Sequence, residues 1–226
     1  MLFVLDGPTV SGRPAAAVTV LGIQTLHGVA PREILIVGTG KHAANHAANH
    51  AEAFGVIFPE ARLFVRGSSL TSAQAFAASV KSVAPNLSVV EGDMIPDSID
   101  VVVTLTPSKS PVYTQPARPE RLVVGVGAFT ADAAEIGKET VDGSSLVVDD
   151  PVGAKHEAGD LIQAKVDWTS VFSLANALAG ELKTSAPIVF KSVGCAAWDL
   201  AACRVARQAL DADECRMIAD VPEAAT

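Results

Sequence analysis

The chain has 226 residues, of which 49% are hydrophobic, with a mean hydropathy of +0.34 and a formal net charge of −8 at pH 7. This composition excludes an intrinsically disordered chain. Because lysines and arginines form no block, we expect no nucleic-acid or anionic-membrane partner, and no apolar run approaches the roughly 18 residues that a transmembrane helix needs.

The N-terminal region predicts a short strand, a turn and a helix. Residues 1–6 are predicted as the strand, PTVSGR (8–13) as the turn, and 14–27 as a helix with Pro14 in its first turn. This region lacks the basic start of a signal peptide, which favours a cytoplasmic protein.

From residue 34 to about 150, short apolar runs alternate with Ala-rich segments. The runs are nearly continuous in apolar residues, as in strands that are buried on both faces, and they cover 34–38, 62–67, 87–92, 100–106, 122–127 and 146–150. Helices are predicted at 41–54 and 70–83. The alternation predicts an α/β fold with a Rossmann-type, doubly wound parallel sheet.

The C-terminal region carries apolar residues at helical spacing from Cys195 to Leu210. The three cysteines form no CxxC pair, which suits reduced thiols in a reducing compartment. We expect residues 31–190 to form a Rossmann domain that binds NAD(P). The chain ends, residues 1–30 and 191–226, are expected to contribute to a second domain for dimerisation and substrate binding.

The sequence GTGKHA, residues 38–43, matches the G-x-G-x-x-G/A pattern of dinucleotide-binding turns. It follows a predicted strand and opens a predicted helix, which is the context that the pattern requires. There Gly38 permits a tight turn, Gly40 lets a pyrophosphate approach the backbone, and the helix N-terminus favours its negative charge.

A competing interpretation is a metal site, since histidines recur every fourth residue at His42, His46 and His50. Two histidines at this spacing can share a metal, but a zinc site normally adds further ligands. The helix also has an apolar row that is predicted to face the sheet, which leaves the histidines on a partly exposed flank; the row is Ala43, Ala47, Ala51 and Phe54. We therefore expect a dinucleotide site and no metal.

The end of the second predicted strand bears on the choice of dinucleotide. NAD-dependent enzymes usually place a carboxylate there, whereas this chain has Arg66, Ser68 and Ser69. A cation and two hydroxyls suit a 2′-phosphate, so we expect NADP, with NAD possible. The alternative is that Arg66 stacks on the adenine or points to solvent.

Later polar segments give weaker indications. TLTPS (104–108) and GVGAF (125–129) follow successive strands, at the edge where open α/β sheets bind ligands. Asp149 and Asp150 are interpreted as caps of the next helix. Residues 155–160, which include Asp160, are interpreted as a surface loop and helix start.

Five segments together resemble the ornithine cyclodeaminase/mu-crystallin family, and most closely its bacterial cyclic ketimine reductases. They are VGTGKHA, DVVVTLTPSKSPV, LVVGVGAFTADAAEI, VVDDPVGAKHEAGDLI and FKSVGCAAWDLAA. The resemblance implies an enzyme that uses NADPH to reduce Δ1-pyrroline-2-carboxylate and Δ1-piperidine-2-carboxylate to proline and pipecolate. The family dimerises, so we expect a homodimer here if residues 1–28 and 195–210 suffice for the interface.

The resemblance also implies roles for particular residues. The cofactor would contact Gly38, Thr39, Gly40, Lys41, His42, Arg66, Ser68, Ser69, Thr104, Leu105, Thr106, Val126 and Gly127. Val193 and Gly194 would lie near the nicotinamide and the substrate. No catalytic side chain is identified.

The chain departs from the family pattern at three places. Family members carry a further N-terminal segment with substrate-binding cations, and we expect this chain to lack it. The family's RTAA reads PAAA at 14–17, so Arg13 is the substitute, shifted by one residue. The catalytic Asp of cyclodeaminases falls at Ala128 or Phe129, which disfavours ornithine cyclisation. The alternative function is an NADP-binding protein with impaired catalysis.

Overall fold

The computed structural model describes residues 7–40, 44–92, 94–182, 184 and 187–219. The strand predicted at 1–6 lies outside this range. Among the described residues, eight parallel strands form one sheet. They are β1 (Glu33–Val37), β2 (Arg62–Arg66), β3 (Ser88–Val89), β4 (Val101–Thr104), β5 (Leu122–Gly125), β6 (Ser145–Val148), β7 (Phe172–Ser173) and β8 (Ile188–Lys191).

Helices connect most of these strands and cover both faces of the sheet. They are α1 (Gly7–Leu26), α2 (Ala44–Ile57), α3 (Leu70–Ser79), α4 (Lys138–Asp142), α5 (Pro151–Glu157), α6 (Gly159–Ala164), α7 (Leu174–Leu178) and α8 (Ala196–Ala219). None of the helices in the described part of the chain combines the length and the apolar character needed to cross a membrane.

The spatial order of the strands is β3-β2-β1-β4-β5-β8-β6-β7. The chain runs outward from β1 to β3 and then returns to the other side of β1 with β4. The carboxyl ends of β1 and β4 therefore flank the topological switch point, where ligands bind in open α/β sheets. This topology confirms the predicted α/β fold with a Rossmann-type parallel sheet.

The core lies on both faces of the sheet, because successive side chains of a strand point to opposite faces. In β1, Ile34 and Ile36 join the cluster under α1 and α2, whereas Leu35 and Val37 join the cluster under α5 and α6. All five β1 residues are buried. This two-sided burial explains why the strands appear as nearly continuous apolar runs in the sequence.

Helix α1 begins at Gly7, so the turn predicted at residues 8–13 is wrong. Pro14 lies inside the helix. Packing against α2 sustains the first turns, since Gly12 lies against the side chains of Asn45 and Asn49. Helix α1 also contributes Val18, Val20, Ile23 and Leu26 to the same core cluster as the sheet.

Candidate functional site

The glycine turn lies directly after β1. Gly38 has a φ of +127°, and a Cβ there would lie only 2.9 Å from the Thr106 side chain. A Cβ at Gly40, by contrast, would meet no atom of the described residues within 4 Å. The backbone at Gly40 is thus open to a ligand, as a pyrophosphate requires. Lys41 and His42 lie outside the described residues, and Thr39 is half-buried beside Ser72, with its Oγ1 3.3 Å from Ser72 Oγ.

The end of β2 places Arg66 beside this turn, where its carbonyl oxygen accepts a hydrogen bond from Gly38 N. Arg66 is only 9% exposed, and its guanidinium donates to the carbonyl oxygen of Val112. The alternative in which this guanidinium points to solvent is therefore wrong. Ser68 is exposed, while the Ser69 hydroxyl caps α3 by accepting from Ser72 N at 3.1 Å.

A cleft of about 770 Å³ opens at the carboxyl edge of the sheet. Its floor comes from the loops after β4, β5 and β8. These loops bring together six of the residues that were predicted to bind cofactor or substrate, namely Leu105, Thr106, Val126, Gly127, Val193 and Gly194. Thr104 is the last residue of β4 and is fully buried below the cleft.

Three helices form the opposite wall of the cleft. Ser11 and Pro14 come from α1, His46 from α2, and Trp198 and Asp199 from α8. None of the described residues that line the cleft is a lysine or an arginine. Arg13 is 67% exposed at its side chain and lies 3.9 Å from Glu52 instead.

Three buried ionisable side chains lie beneath the floor of the cleft, namely Glu135, Asp160 and Lys191. The sequence did not indicate that they form a cluster. Glu135 accepts hydrogen bonds from the backbone N–H groups of Thr106, Gly127 and Ala128. Burial raises the pKa of Glu135, and the nearby Lys191 charge opposes that shift. Asp160 Oδ2 lies 2.9 Å from Lys191 Nζ, and neither side chain is exposed.

The prediction of a surface loop and helix start at residues 155–160 is wrong for Asp160, which is buried, whereas Lys155, His156 and Glu157 are exposed as expected. Helix α6 begins at Gly159, which packs so closely on residues 130–133 that a Cβ would lie 1.9 Å from the carbonyl oxygen of Ala133. This contact carries Asp160 into the interior, where it accepts from the backbone N–H groups of Glu135 and Ile136. The signal in the sequence was Lys191, a lone charge within the apolar run IVFK.

The two aspartates after β6 have different roles. Asp150 caps α5 by accepting from Val152 N at 2.9 Å, which confirms its predicted role. Asp149 instead accepts from Ser192 Oγ at 2.7 Å, Val193 N at 3.0 Å and Gly194 N at 2.9 Å. It therefore holds the loop that was predicted to contact substrate.

The predicted position of the histidines on a partly exposed flank is wrong for His50. His50 is fully buried because α1 packs over this flank of α2, and its ring bonds to Thr19 Oγ1 at 3.0 Å and to the carbonyl oxygen of His46 at 2.7 Å. Burial lowers the pKa of His50 to about 4 and also lowers the pKa of His46. No group of three or more potential metal ligands occurs among the described residues.

Comparison with known proteins gives close relatives. The chain is 66% identical over 212 residues to Delta(1)-pyrroline-2-carboxylate reductase 2 of Burkholderia ambifaria, covering 94% of this chain and 67% of that protein. It is equally similar, with the same coverage, to the Delta(1)-pyrroline-2-carboxylate/Delta(1)-piperideine-2-carboxylate reductase of Azospirillum brasilense. The chain thus spans about two thirds of the length of these relatives.

The fold also matches solved structures. The Delta(1)-pyrroline-2-carboxylate reductase of Thermococcus litoralis, solved with NADH and L-proline, aligns with a TM-score of 0.74 at 24% identity, over 85% of this chain and 62% of that one. In sequence, residues 1–214 match the model of the ornithine cyclodeaminase/mu-crystallin family. The chain belongs to the ornithine cyclodeaminase/mu-crystallin family.

Proposed function

We propose that this chain is an oxidoreductase that reduces the C=N bond of cyclic ketimine carboxylates with a nicotinamide dinucleotide. Its substrates would be Δ1-pyrroline-2-carboxylate and Δ1-piperidine-2-carboxylate, and its products L-proline and L-pipecolate. The observation that carries this proposal is the 66% identity to two reductases over 94% of the chain. The family resemblance implies that the catalytic Asp of cyclodeaminases falls at Ala128 or Phe129, which supports reduction over ornithine cyclisation.

The dinucleotide would lie across the carboxyl edge of the sheet. The open backbone at Gly40 suits the pyrophosphate, and the cleft floor at Thr106 and Gly127 suits the nicotinamide half. We infer a preference for NADPH, because Arg66 stands at the end of β2 where an NAD site usually has a carboxylate. NADH is the competing cofactor, since a related fold was solved with it.

The bound dihydronicotinamide would supply a hydride to the carbon of the protonated imine, which gives the neutral amine and leaves the oxidised nicotinamide. The contribution of this chain is mainly orientation and exclusion of water. Leu105 and Val126 in the floor and Trp198 in the opposite wall give the cleft an apolar lining. The Asp149 carboxylate fixes the backbone of Val193 and Gly194 in the floor. A cleft with a fixed floor would hold the donor and acceptor atoms at reacting distance.

A second candidate function is dinucleotide binding without turnover. The observation that favours it is the lack of lysine and arginine among the described residues that line the cleft. The substrate carries a carboxylate, which an apolar cleft binds poorly without a cation.

Two further properties belong to the proposal. A homodimer is supported by apolar side chains that α8 leaves exposed, namely Leu200, Val205 and Leu210. A cytoplasmic location is supported by the free thiols of Cys195 and Cys203.

The proposal is tested with NADPH that carries deuterium at C4 of the nicotinamide. Incubation with Δ1-pyrroline-2-carboxylate should yield proline with deuterium at Cα, detected by mass spectrometry. Gly40→Asp should abolish the product by placing a negative charge against the pyrophosphate. Ala75→Asp, which adds the same charge at an exposed position of α3, should leave the product unchanged. Cofactor binding without deuterated product would instead support the second candidate.

A further inference from the structure

The β4–β5 ladder ends just below the cleft floor. The last paired residues are Thr104 and Gly125, and Val126 N still donates to the carbonyl oxygen of Thr104 at 3.0 Å. Beyond Thr104 and Gly125 the two segments continue as loops and no longer pair as strands. Their N–H groups still need acceptors, because an unpaired buried N–H is costly. These N–H groups belong to Thr106, Ala128 and Gly127, and the Gly127 N–H also donates to the carbonyl oxygen of Thr104 at 3.3 Å.

One side chain, Glu135, accepts from all three of these groups. Its Oε1 atom accepts from Thr106 N, and its Oε2 atom accepts from Gly127 N at 2.7 Å and from Ala128 N at 2.9 Å. An ionised carboxylate only accepts hydrogen bonds and has room for several donors, and such charge-assisted bonds are stronger than neutral ones. The carboxylate therefore joins the loop after β4 to the loop after β5, where the strands no longer pair.

The two loops joined by Glu135 are in direct contact. A Cβ at Gly127 would lie 2.2 Å from Thr106 N and 2.3 Å from the carbonyl oxygen of Thr106. Both residues line the cleft. A change of a few tenths of an ångström in their spacing would therefore change the shape of the cleft floor.

The position of Glu135 is itself fixed from several sides. Asp160 Oδ1 accepts from its backbone N–H, and its carbonyl oxygen accepts from Tyr113 N at 2.9 Å. The buried ammonium of Lys191 supplies the compensating charge for both carboxylates. The carboxylate of Glu135 is thus held in place before any ligand binds.

We propose that Glu135 is a positioning residue that sets the spacing of the Thr106 and Gly127 loops and thereby the affinity for the nicotinamide half of the cofactor. This inference rests on the proposed dinucleotide site. It assigns no contact between Glu135 and the ligand, because the carboxylate lies behind the floor of the cleft and acts through the backbone of the two loops.

The test compares Glu135→Gln with Glu139→Gln, an identical change at an exposed position four residues later. The amide in Glu135→Gln turns one acceptor into a donor that opposes a backbone N–H. Hydrogen exchange without ligand should become about tenfold faster or more at Thr106 and Gly127 in Glu135→Gln only. Unchanged exchange would overturn the inference even if the chain binds no dinucleotide, so the result is independent of the proposed function.

Ligand titrations supply the second readout. The Kd for NADPH should rise about tenfold or more in Glu135→Gln, while the Kd for 2′,5′-ADP, which lacks the nicotinamide half, should stay within about twofold. A parallel loss of both affinities would show general damage and overturn the inference. If Glu135→Gln does not fold, Glu135→Asp replaces it, since its shorter carboxylate keeps the charge near Lys191 but cannot reach all three N–H groups. Glu135→Asp should show the same selective loss, and unchanged affinities would overturn the inference.

Discussion

Lys191 Nζ lies 2.9 Å from Asp160 Oδ2, and both side chains have no solvent exposure. The pair joins β8, in the middle of the sheet, to the start of α6. Because Asp160 also accepts from the backbone of Glu135 and Ile136, this ion pair connects the sheet to the residue that holds the cleft floor. The interior beneath the proposed active site therefore contains a buried ion pair.

Replacing Lys191 with methionine should strongly destabilise the fold. The change leaves the carboxylates of Asp160 and Glu135 buried without a cation, and the loss should be about 3–5 kcal/mol in the free energy of unfolding. The matched control is Lys138→Met, because Lys138 pairs with Asp142 on the surface and should cost at most about 1 kcal/mol. Urea denaturation measures both. Equal losses in the two variants would contradict the role of the buried pair.

The free energy of unfolding should decrease as the pH falls through the range in which His50 titrates. The pKa of His50 is lowered from 6.5 to about 4 in the folded state. Between about pH 4 and pH 6.5, His50 is therefore protonated in the unfolded chain but neutral in the folded chain. The free energy of unfolding should thus decrease as the pH falls from about 6.5 to about 4, by roughly 3 kcal/mol in total. The stability of His50→Gln should fall less steeply between pH 6.5 and 5. Parallel curves for the two proteins would contradict the assignment.

Asp149→Asn should impair the proposed reaction through the 192–194 loop. The amide cannot accept at both positions, so the backbone of Val193 and Gly194 loses a fixed acceptor. We expect kcat/KM for the ketimine to fall about tenfold. Asp150→Asn is the control, since asparagine caps helices as well as aspartate does and should change little. Equal kcat and KM values for the two variants would show that Asp149 does not support the reaction through the 192–194 loop.

Arg66→Gln should alter the choice of cofactor. If the guanidinium holds the 2′-phosphate, the Kd for NADPH should rise about tenfold or more and the Kd for NADH should change within about twofold. Arg62→Gln makes the same change at the opposite end of β2 and should leave the ratio of the two affinities unaltered. An unchanged ratio in Arg66→Gln would show that its bond to the carbonyl oxygen of Val112 is its main role.

Much of the sheet could be predicted because its strands are buried on both faces. The run at 34–38 and its neighbours therefore stand out as apolar segments, and the glycine turn lies after the expected strand. Strand β8 was missed because it ends in a charged residue, Lys191, which is unusual in a buried strand. Its position between β5 and β6 follows from the topology, which the order of elements in the sequence does not reveal.

The parts of the site that could not be predicted depend on contacts between distant segments. Glu135 and Asp160 are ordinary acidic residues in the sequence, and their burial follows only from the loops and helix that pack around them. His50 is a further example. The helical pattern predicts on which flank of α2 it lies, but it does not reveal that α1 covers this flank.

The most direct test of the account is a titration of the chain with NADPH, followed by nicotinamide fluorescence. Δ1-piperidine-2-carboxylate is then added at saturation while the nicotinamide absorbance is recorded. We expect saturable binding and a loss of absorbance that matches the pipecolate formed. Failure to bind NADPH or NADH, or binding with no loss of absorbance, would contradict the assignment of this cleft to ketimine reduction.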